Sequence, residues 1–357
     1  VNIIPLDISS PIIICEFDNT SISVSLDSDS SSFDSVQWEQ SLDGGASWID
    51  VAEDFNSFEG QNSSDLQILN ASISISNTIF RSRLERIDYV CGPIYSNEVT
   101  IIVNTTPTAN AVLDIAICDD DNDGVNSFDF IADVTPTVLG AQDPLGFSVT
   151  YHPTQEDADL NTNAYVIPYS NVLTQESVFV RIENVNNITC YDTTSFVIEV
   201  FDTPVIAAIN DLQNCDDGTD GDLTNGQTET DLSALTAVVL GAQDTTLFNV
   251  SYHLDTTDAN AGANALPLIY YNTTAFNQTL FVRIENTTNT NCYTTEQFNI
   301  IVNTTPTANA VLDIAICDDD NDGVNSFDFI ADVTPTVLGT QDPLGFSVTY
   351  HPTQEDA

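Results

Sequence analysis

The hexapeptide Phe179-Val180-Arg181-Ile182-Glu183-Asn184 returns as Phe281-Val282-Arg283-Ile284-Glu285-Asn286. In the first copy Val178, Val180 and Ile182 alternate with Phe179, Arg181 and Glu183, and upstream Phe147, Val149 and Tyr151 alternate with Ser148, Thr150 and His152. Period-two alternation is the mark of a strand with one buried face. Working outward, Leu139-Gly140-Ala141-Gln142-Asp143 recurs as Leu240-Gly241-Ala242-Gln243-Asp244, and residues 101–158 reappear as 300–357 with Ala141 against Thr340 as the single difference. A repeat of about 100 residues rich in short strands predicts an all-β chain, a tandem array of Ig-like β-sandwich domains. The expected divisions are 1–104, an Ig-like domain; 105–203, repeat A; 204–303, a diverged repeat B; and 304–357, a truncated second copy of repeat A. Thr106-Pro107, Thr203-Pro204 and Thr305-Pro306 mark extended junctions. Two short helices are expected in each repeat, one over 129–139 closed by Gly140, the other opening at Thr154 with Asp157 three residues on.

Five Lys+Arg against 54 Asp+Glu leave a net charge of −49 in 357 residues. Nucleic-acid binding and docking on anionic lipid both need clustered cations, so this balance opposes them. With 42% hydrophobic residues the chain has ample material for packed cores. No apolar run approaches the ~20 residues of a membrane-spanning helix, so direct membrane insertion is not expected. There is no Met and no basic stretch before an apolar one, which leads to the expectation of an interior segment of a longer protein.

Seven cysteines stand at 15, 91, 118, 190, 215, 292 and 317. The spacing favours within-unit pairs, Cys15–Cys91, Cys118–Cys190 and Cys215–Cys292, with Cys317 unpaired. No C-x-x-C spacing suggests zinc. Disulfides imply an oxidising, extracellular setting, and each would contribute ~4 kcal/mol to a small domain.

The first unit carries Cys15, Trp38 and Cys91 in the order of immunoglobulin domains, in which the Trp packs on the disulfide. Trp38 and Trp48 flank an Asp43-Gly44 hairpin turn, and core packing is the expected role of both over stacking on sugar. Cys118-Asp119-Asp120-Asp121-Asn122-Asp123-Gly124, Phe128-Asp129-Phe130, the Leu-Gly-Ala-Gln-Asp box and Cys190-Tyr191-Asp192-Thr193-Thr194 together resemble repeats of very large surface proteins of gliding Bacteroidota. The first unit is similar to the Ig-like domains of those proteins. The resemblance implies type IX secretion and a role as surface adhesin or fibre.

Asp119, Asp121, Asp123 and Gly124 supply positions 1, 3, 5 and 6 of a D-x-D-x-D-G calcium loop, with the Val125 carbonyl at position 7. Position 12 is Phe130 in place of Glu, which leaves Asp129 to close a looser site. Structural calcium is therefore expected there and at Asp318, Asp320 and Asp322, and less readily at Asp216 and Asp220 of the diverged copy. A solvated acidic turn is the alternative.

Catalysis is not expected. His152, His253 and His351 occupy one equivalent position with no nucleophile beside them. Arg181 and Arg283 stand two residues before a Glu, which favours a cross-strand ion pair over an anion site. Asp-Ser/Thr triplets make Ser35, Thr193, Thr245 and Thr256 glycosylation candidates by the resemblance. The functional expectation is a non-catalytic, extracellular stalk or fibre segment of a repetitive cell-surface adhesin. A self-assembling filament or sheath and a glycan-binding module are the alternatives. Expected partners are neighbouring repeats of the same chain and other copies in a fibre, with any surface or glycan ligand outside this segment.

Overall fold

In the first domain the chain runs through β1 (Ile12–Cys15), β2 (Thr20–Ser23), β3 (Ser35–Ser41), β4 (Ile49–Asp50), β5 (Phe58–Glu59), β6 (Asp65–Ile68), β7 (Thr78–Glu85), β8 (Ile94–Tyr95) and β9 (Val99–Asn104). The computed structural model describes residues 11–24, 35–85, 92–218 and 220–357, in two compact units, Val1–Phe201 and Asp202–Ala357. One sheet has the order β1-β9-β7-β3-β4 with β8 also on β7, and the other has the order β2-β6-β5. Along β7, Thr78, Phe80, Ser82 and Leu84 are buried in strict alternation, as a half-buried strand requires. Trp38, Phe80, Val99 and Ile101 from one sheet meet Ile22, Leu66 and Ile68 from the other, the layering of an Ig-type sandwich. Strands β1 and β9 pair in parallel, Ile12 opposite Ile101 through Cys15 opposite Asn104. The first and last strands of the domain thus run side by side.

The expected Trp-on-disulfide core does not form. Trp38 is 1% exposed among aliphatic side chains, with its Nε1–H donating to the Ser63 carbonyl at 3.0 Å. Cys15 is bonded elsewhere, as described below. Trp48 lies half-buried on the outer face, where Arg81 is sandwiched between its ring, 3.8 Å from the centroid, and the ring of Tyr95 at 4.0 Å. Buried Glu39 neutralises Arg81 at 2.8 Å and also pairs with Arg83.

Repeat A comprises β10 (Ile115–Asp119), β11 (Ser127–Phe128), α1 (Phe130–Asp133), α2 (Thr135–Leu139), β12 (Phe147–His152), α3 (Gln155–Leu160), β13 (Tyr169–Ser170), β14 (Gln175–Asn184) and β15 (Asn187–Asp202). A four-stranded sheet β10-β15-β14-β12 and a two-stranded ribbon β11-β13 enclose Val178, Val180, Ile182, Phe196, Ile198 and Phe130. The helix expected over 129–139 is present as two turns. Asp129 accepts from Ala132 N–H at 3.1 Å to cap the first, Pro136 stands at the start of the second, and Gly140 closes it at φ 58°, ψ −120°. That backbone conformation is one that residues with a Cβ rarely adopt, and a Cβ there would also lie 2.8 Å from Asn110 Nδ2. Helix α3 opens as expected, the Thr154 side chain accepting from Asp157 N–H at 3.1 Å.

The second unit repeats the plan. Its elements are β16 (Leu212–Cys215), β17 (Glu229–Asp231), α4 (Ser233–Leu240), β18 (Phe248–His253), α5 (Thr256–Ala261), β19 (Ile269–Tyr271), β20 (Asn277–Asn286) and β21 (Tyr293–Asn303), followed by α6 (Phe329–Asp332) and α7 (Thr334–Leu338). The sheet order β16-β21-β20-β18 with the ribbon β17-β19 matches repeat A strand for strand. Residues 346–351 are identical in sequence to β12 yet form no strand. The long strand that holds β12, β14, has no counterpart within 304–357, so strand formation here waits on its neighbour.

Candidate functional site

The junction between the first domain and repeat A is closed by a disulfide, Cys15–Cys190, with an S–S distance of 2.03 Å and a Cα–Cα distance of 5.3 Å across a separation of 175 residues. Cys15 ends β1. Cys190 sits where the β14–β15 ladder slips, since Glu183 faces Tyr191 while Asn184 faces Asn187. Ile188, Thr189 and Cys190 are thereby pushed out of register. Hydrogen bonds flank the bridge. Thr106 Oγ1 donates to the Glu16 carbonyl at 3.2 Å, and Asn184 Nδ2 donates to the Thr105 carbonyl at 2.9 Å.

This pairing corrects the sequence expectation. Cys15 is bonded across domains and not to Cys91, which lies outside the described residues. Cys190 is taken by Cys15, so Cys118–Cys190 does not exist. Cys215 is an exposed free thiol, so Cys215–Cys292 does not exist either. Cys118 and Cys292 are each in a disulfide, and Cys317 is an exposed free thiol. The physical reason is placement along the domain. Cys15 stands at the end of the first strand, beside its domain's exit, and Cys190 at the slipped end of the β14–β15 hairpin that meets it. Regular spacing reports the repeat period and carries no information about which ends meet.

Behind Cys190 stands Arg181, 3% exposed. Its Nε–H donates to Glu183 Oε2 at 2.6 Å, Nη1 to the Ala158 and Asp159 carbonyls at the end of α3, both at 3.0 Å, and Nη2 to the Ile188 carbonyl at 2.5 Å. The guanidinium stacks 3.7 Å from the Tyr191 ring centroid. Arg283 repeats the set on Glu285, Ala259, Asn260, Thr290 and Tyr293. The expected ion pair is present, but along one strand and not across two. His152 is fully buried, its ring nitrogens bonded to the Thr162 carbonyl at 2.7 Å and Thr150 Oγ1 at 2.8 Å, and His253 repeats the arrangement.

In the acidic loop, carboxylate oxygens of Asp119, Asp121 and Asp123 lie within 4.8 Å of one another, as do those of Asp318, Asp320 and Asp322. Asp119, 2% exposed, accepts from Gly124 N–H at 2.7 Å and Asp121 N–H at 3.3 Å. Burial pushes its carboxyl up, but these hydrogen bonds outweigh burial and hold it below the ordinary range. Asp121 is pushed up by its hydrogen bond with Asp119 and by the charge of Asp123. In the second copy, the Gly323 N–H holds Asp318 low. Val125 donates its N–H to Asp123 Oδ1 at 2.7 Å. Asp129 is engaged as the cap of α1 and stands apart from the cluster. In the diverged loop Asp216 accepts from Gly226 N–H at 2.8 Å, while Asp220 is held by Asn225 and Tyr271; among the described residues these two form no three-carboxylate cluster.

Of the glycosylation candidates, Ser35, Thr245 and Thr256 are exposed, whereas Thr193 is half-buried and accepts from Gln155 Nε2 at 3.0 Å. Among the described residues no helix is long and apolar enough to cross a membrane.

The family described as "Flavobacterium inter-domain disulphide bond domain" matches residues 114–204, 211–306 and 313–357, well over half of the chain. No curated protein matches it. Among solved structures, it is similar to extracellular domains 3–5 of Drosophila OTK at 12% identity, over 84% of this chain and 95% of that one, with a TM-score of 0.27. The insect immune protein hemolin is similar at 9% identity, over 84% and 76% of the two chains, TM-score 0.29. The mouse nectin-like molecule 4 ectodomain is similar at 8% identity, over 82% and 97%, TM-score 0.31.

Proposed function

The chain belongs to the family of Flavobacterium inter-domain disulphide bond domains, and from that premise we propose that it is a non-catalytic, extracellular stalk or fibre segment of a large repetitive cell-surface adhesin. The observation that carries this reading is Cys15–Cys190. A first strand bonded to the hairpin of the following domain cannot swing about the Thr-Pro junction, so the bridge turns a flexible string into a stiff one. Near-identical copies such as 101–158 and 300–357 add length without adding a specialised cleft. Export by the type IX route, structural calcium at Asp119, Asp121 and Asp123 and at their second-copy equivalents, and glycans on the exposed Ser35, Thr245 and Thr256 belong to the same proposal. The adhesive ligand is assigned to a region outside this segment.

Electron microscopy of the oxidised chain tests the reading. Straight rods that become kinked after reduction support it, and compact particles with polysaccharide hydrolase activity overturn it. The second reading, a self-assembling filament, draws on the exposed thiols of Cys215 and Cys317; sedimentation at rising concentration under oxidising conditions separates the two. A glycan module needs free aromatic faces, whereas Trp48 and Tyr95 each spend one on Arg81.

A further inference from the structure

We propose that Arg181 is a positioning residue for the Cys15–Cys190 bridge, its guanidinium fixing the loop that presents Cys190, and that Arg283 in the following repeat fixes the loop of Cys292 in the same way. The inference rests on the stapled-domain reading above. The loop has little packing of its own, since Val185 is 50% and Ile188 57% exposed. Local bonds give it shape, as where Thr189 Oγ1 donates to Asn187 Oδ1 at 2.8 Å. Besides the Val185 N–H, which donates to the Gly146 carbonyl at 3.1 Å at the start of the loop, the domain body grips the loop through Arg181, which holds the carbonyl two residues before Cys190 and stacks on the ring of the residue after it. The same group is anchored to α3 through Nη1 and to Glu183 through Nε. One planar, rigid fork therefore spans helix, strand and loop. A lysine ammonium presents a single nitrogen and cannot reach all three. Arg283 reproduces every contact, with the Thr290 carbonyl two residues before Cys292, so the arrangement travels with the repeat.

Holding one cysteine in place before the bridge forms raises its effective concentration against the other. With glutathione disulfide as oxidant, one protein thiolate attacks a glutathione sulfur and expels a glutathione thiolate. The second protein thiolate then attacks the protein sulfur of that mixed disulfide and expels the other. One S–S bond forms, one breaks, and the two protein protons end on two glutathione thiols. The loop's order enters the second, intramolecular step.

The test is equilibration of the full chain in glutathione buffers below its melting temperature, with the Cys15–Cys190 peptide quantified by non-reducing mapping. Arg181→Gln is expected to lower the equilibrium constant for that bridge at least tenfold, and Arg283→Gln to leave it unchanged. If Arg181→Gln does not fold, Arg181→Lys, which keeps the charge beside Glu183 but lacks the arm for the Ile188 carbonyl, is expected to give the same loss. A lower melting temperature with an unchanged equilibrium constant in the variant that folds would show a merely structural arginine and overturn the inference. A wild-type chain that yields no Cys15–Cys190 peptide would instead refute the stapled reading itself.

Discussion

Replacing Cys190 with alanine destabilises a domain in which Cys190 does not reside. Both tryptophans, Trp38 and Trp48, lie in the first domain, so fluorescence excited selectively at tryptophan reports that domain alone. The bridge closes a loop of 175 residues, and removing it returns ~5 kcal/mol of chain entropy to the fully unfolded state. If the first domain unfolds while repeat A stays folded, the closed segment is about 90 residues and the loss is still ~4.5 kcal/mol. For a domain of this size that lowers the fluorescence-monitored midpoint by on the order of 20 °C. Cys15→Ala and the double variant should melt together with Cys190→Ala, because each removes the same bond. Alanine is the suitable replacement, since Cys190 is 1% exposed and a serine hydroxyl there would add its own desolvation cost. If Cys190→Ala leaves the tryptophan midpoint within ~2 °C of wild type while Cys15→Ala lowers it, the first domain is closed by an internal pair and the reasoning fails.

Gly140→Ala forces a side chain into φ 58°, ψ −120° and against Asn110; a loss of about 1–3 kcal/mol is expected in denaturant unfolding. Calcium should raise the melting temperature of the chain and EDTA should reverse the effect, with Asp121→Asn and Asp123→Asn reducing the response; superimposable melts in all conditions would mark the loop as a solvated turn. The Asp43 carboxyl is lowered to about 2, first by the Ser47 hydroxyl and then by the Ser47 N–H. Its folded pKa lies below the unfolded one, so its contribution to stability is complete above about pH 4 and lost as pH falls towards 2. NMR titration of Ser47→Ala should move the Asp43 midpoint back up.

The strands were legible because burial on one face writes itself as alternation, plain in Val178, Val180 and Ile182 and again in Phe147, Val149 and Tyr151. The helix ends were legible because Thr154 and Gly140 are local signals whose geometry depends on the nearest few residues. The cysteine pairing was not. Cys15, Cys118 and Cys215 repeat at the period of the domains, and a period is blind to which end of one domain abuts the next. The pairing follows from β1 running parallel to β9, which delivers Cys15 to the junction, and from the slipped register after Glu183, which lifts Cys190 out of its ladder. Neither is a property of spacing. Arg181 was read only as far as its nearest carboxylate, because the carbonyls it holds belong to the end of α3 and to a loop, backbone groups that leave no mark in side-chain identity.

The bridge also decides what traction can do to the first unit. A pull between its ends enters along Ile12–Cys15, crosses to Cys190 and leaves along β15, so the covalent line of tension bypasses the 175-residue loop between the two cysteines. Fully drawn out, that loop would measure on the order of 600 Å. It is slack that no pull between the ends can reel out while the sulfurs stay joined. Under load the loop hangs beside the taut path, and reduction alone would release it as a tether many times longer.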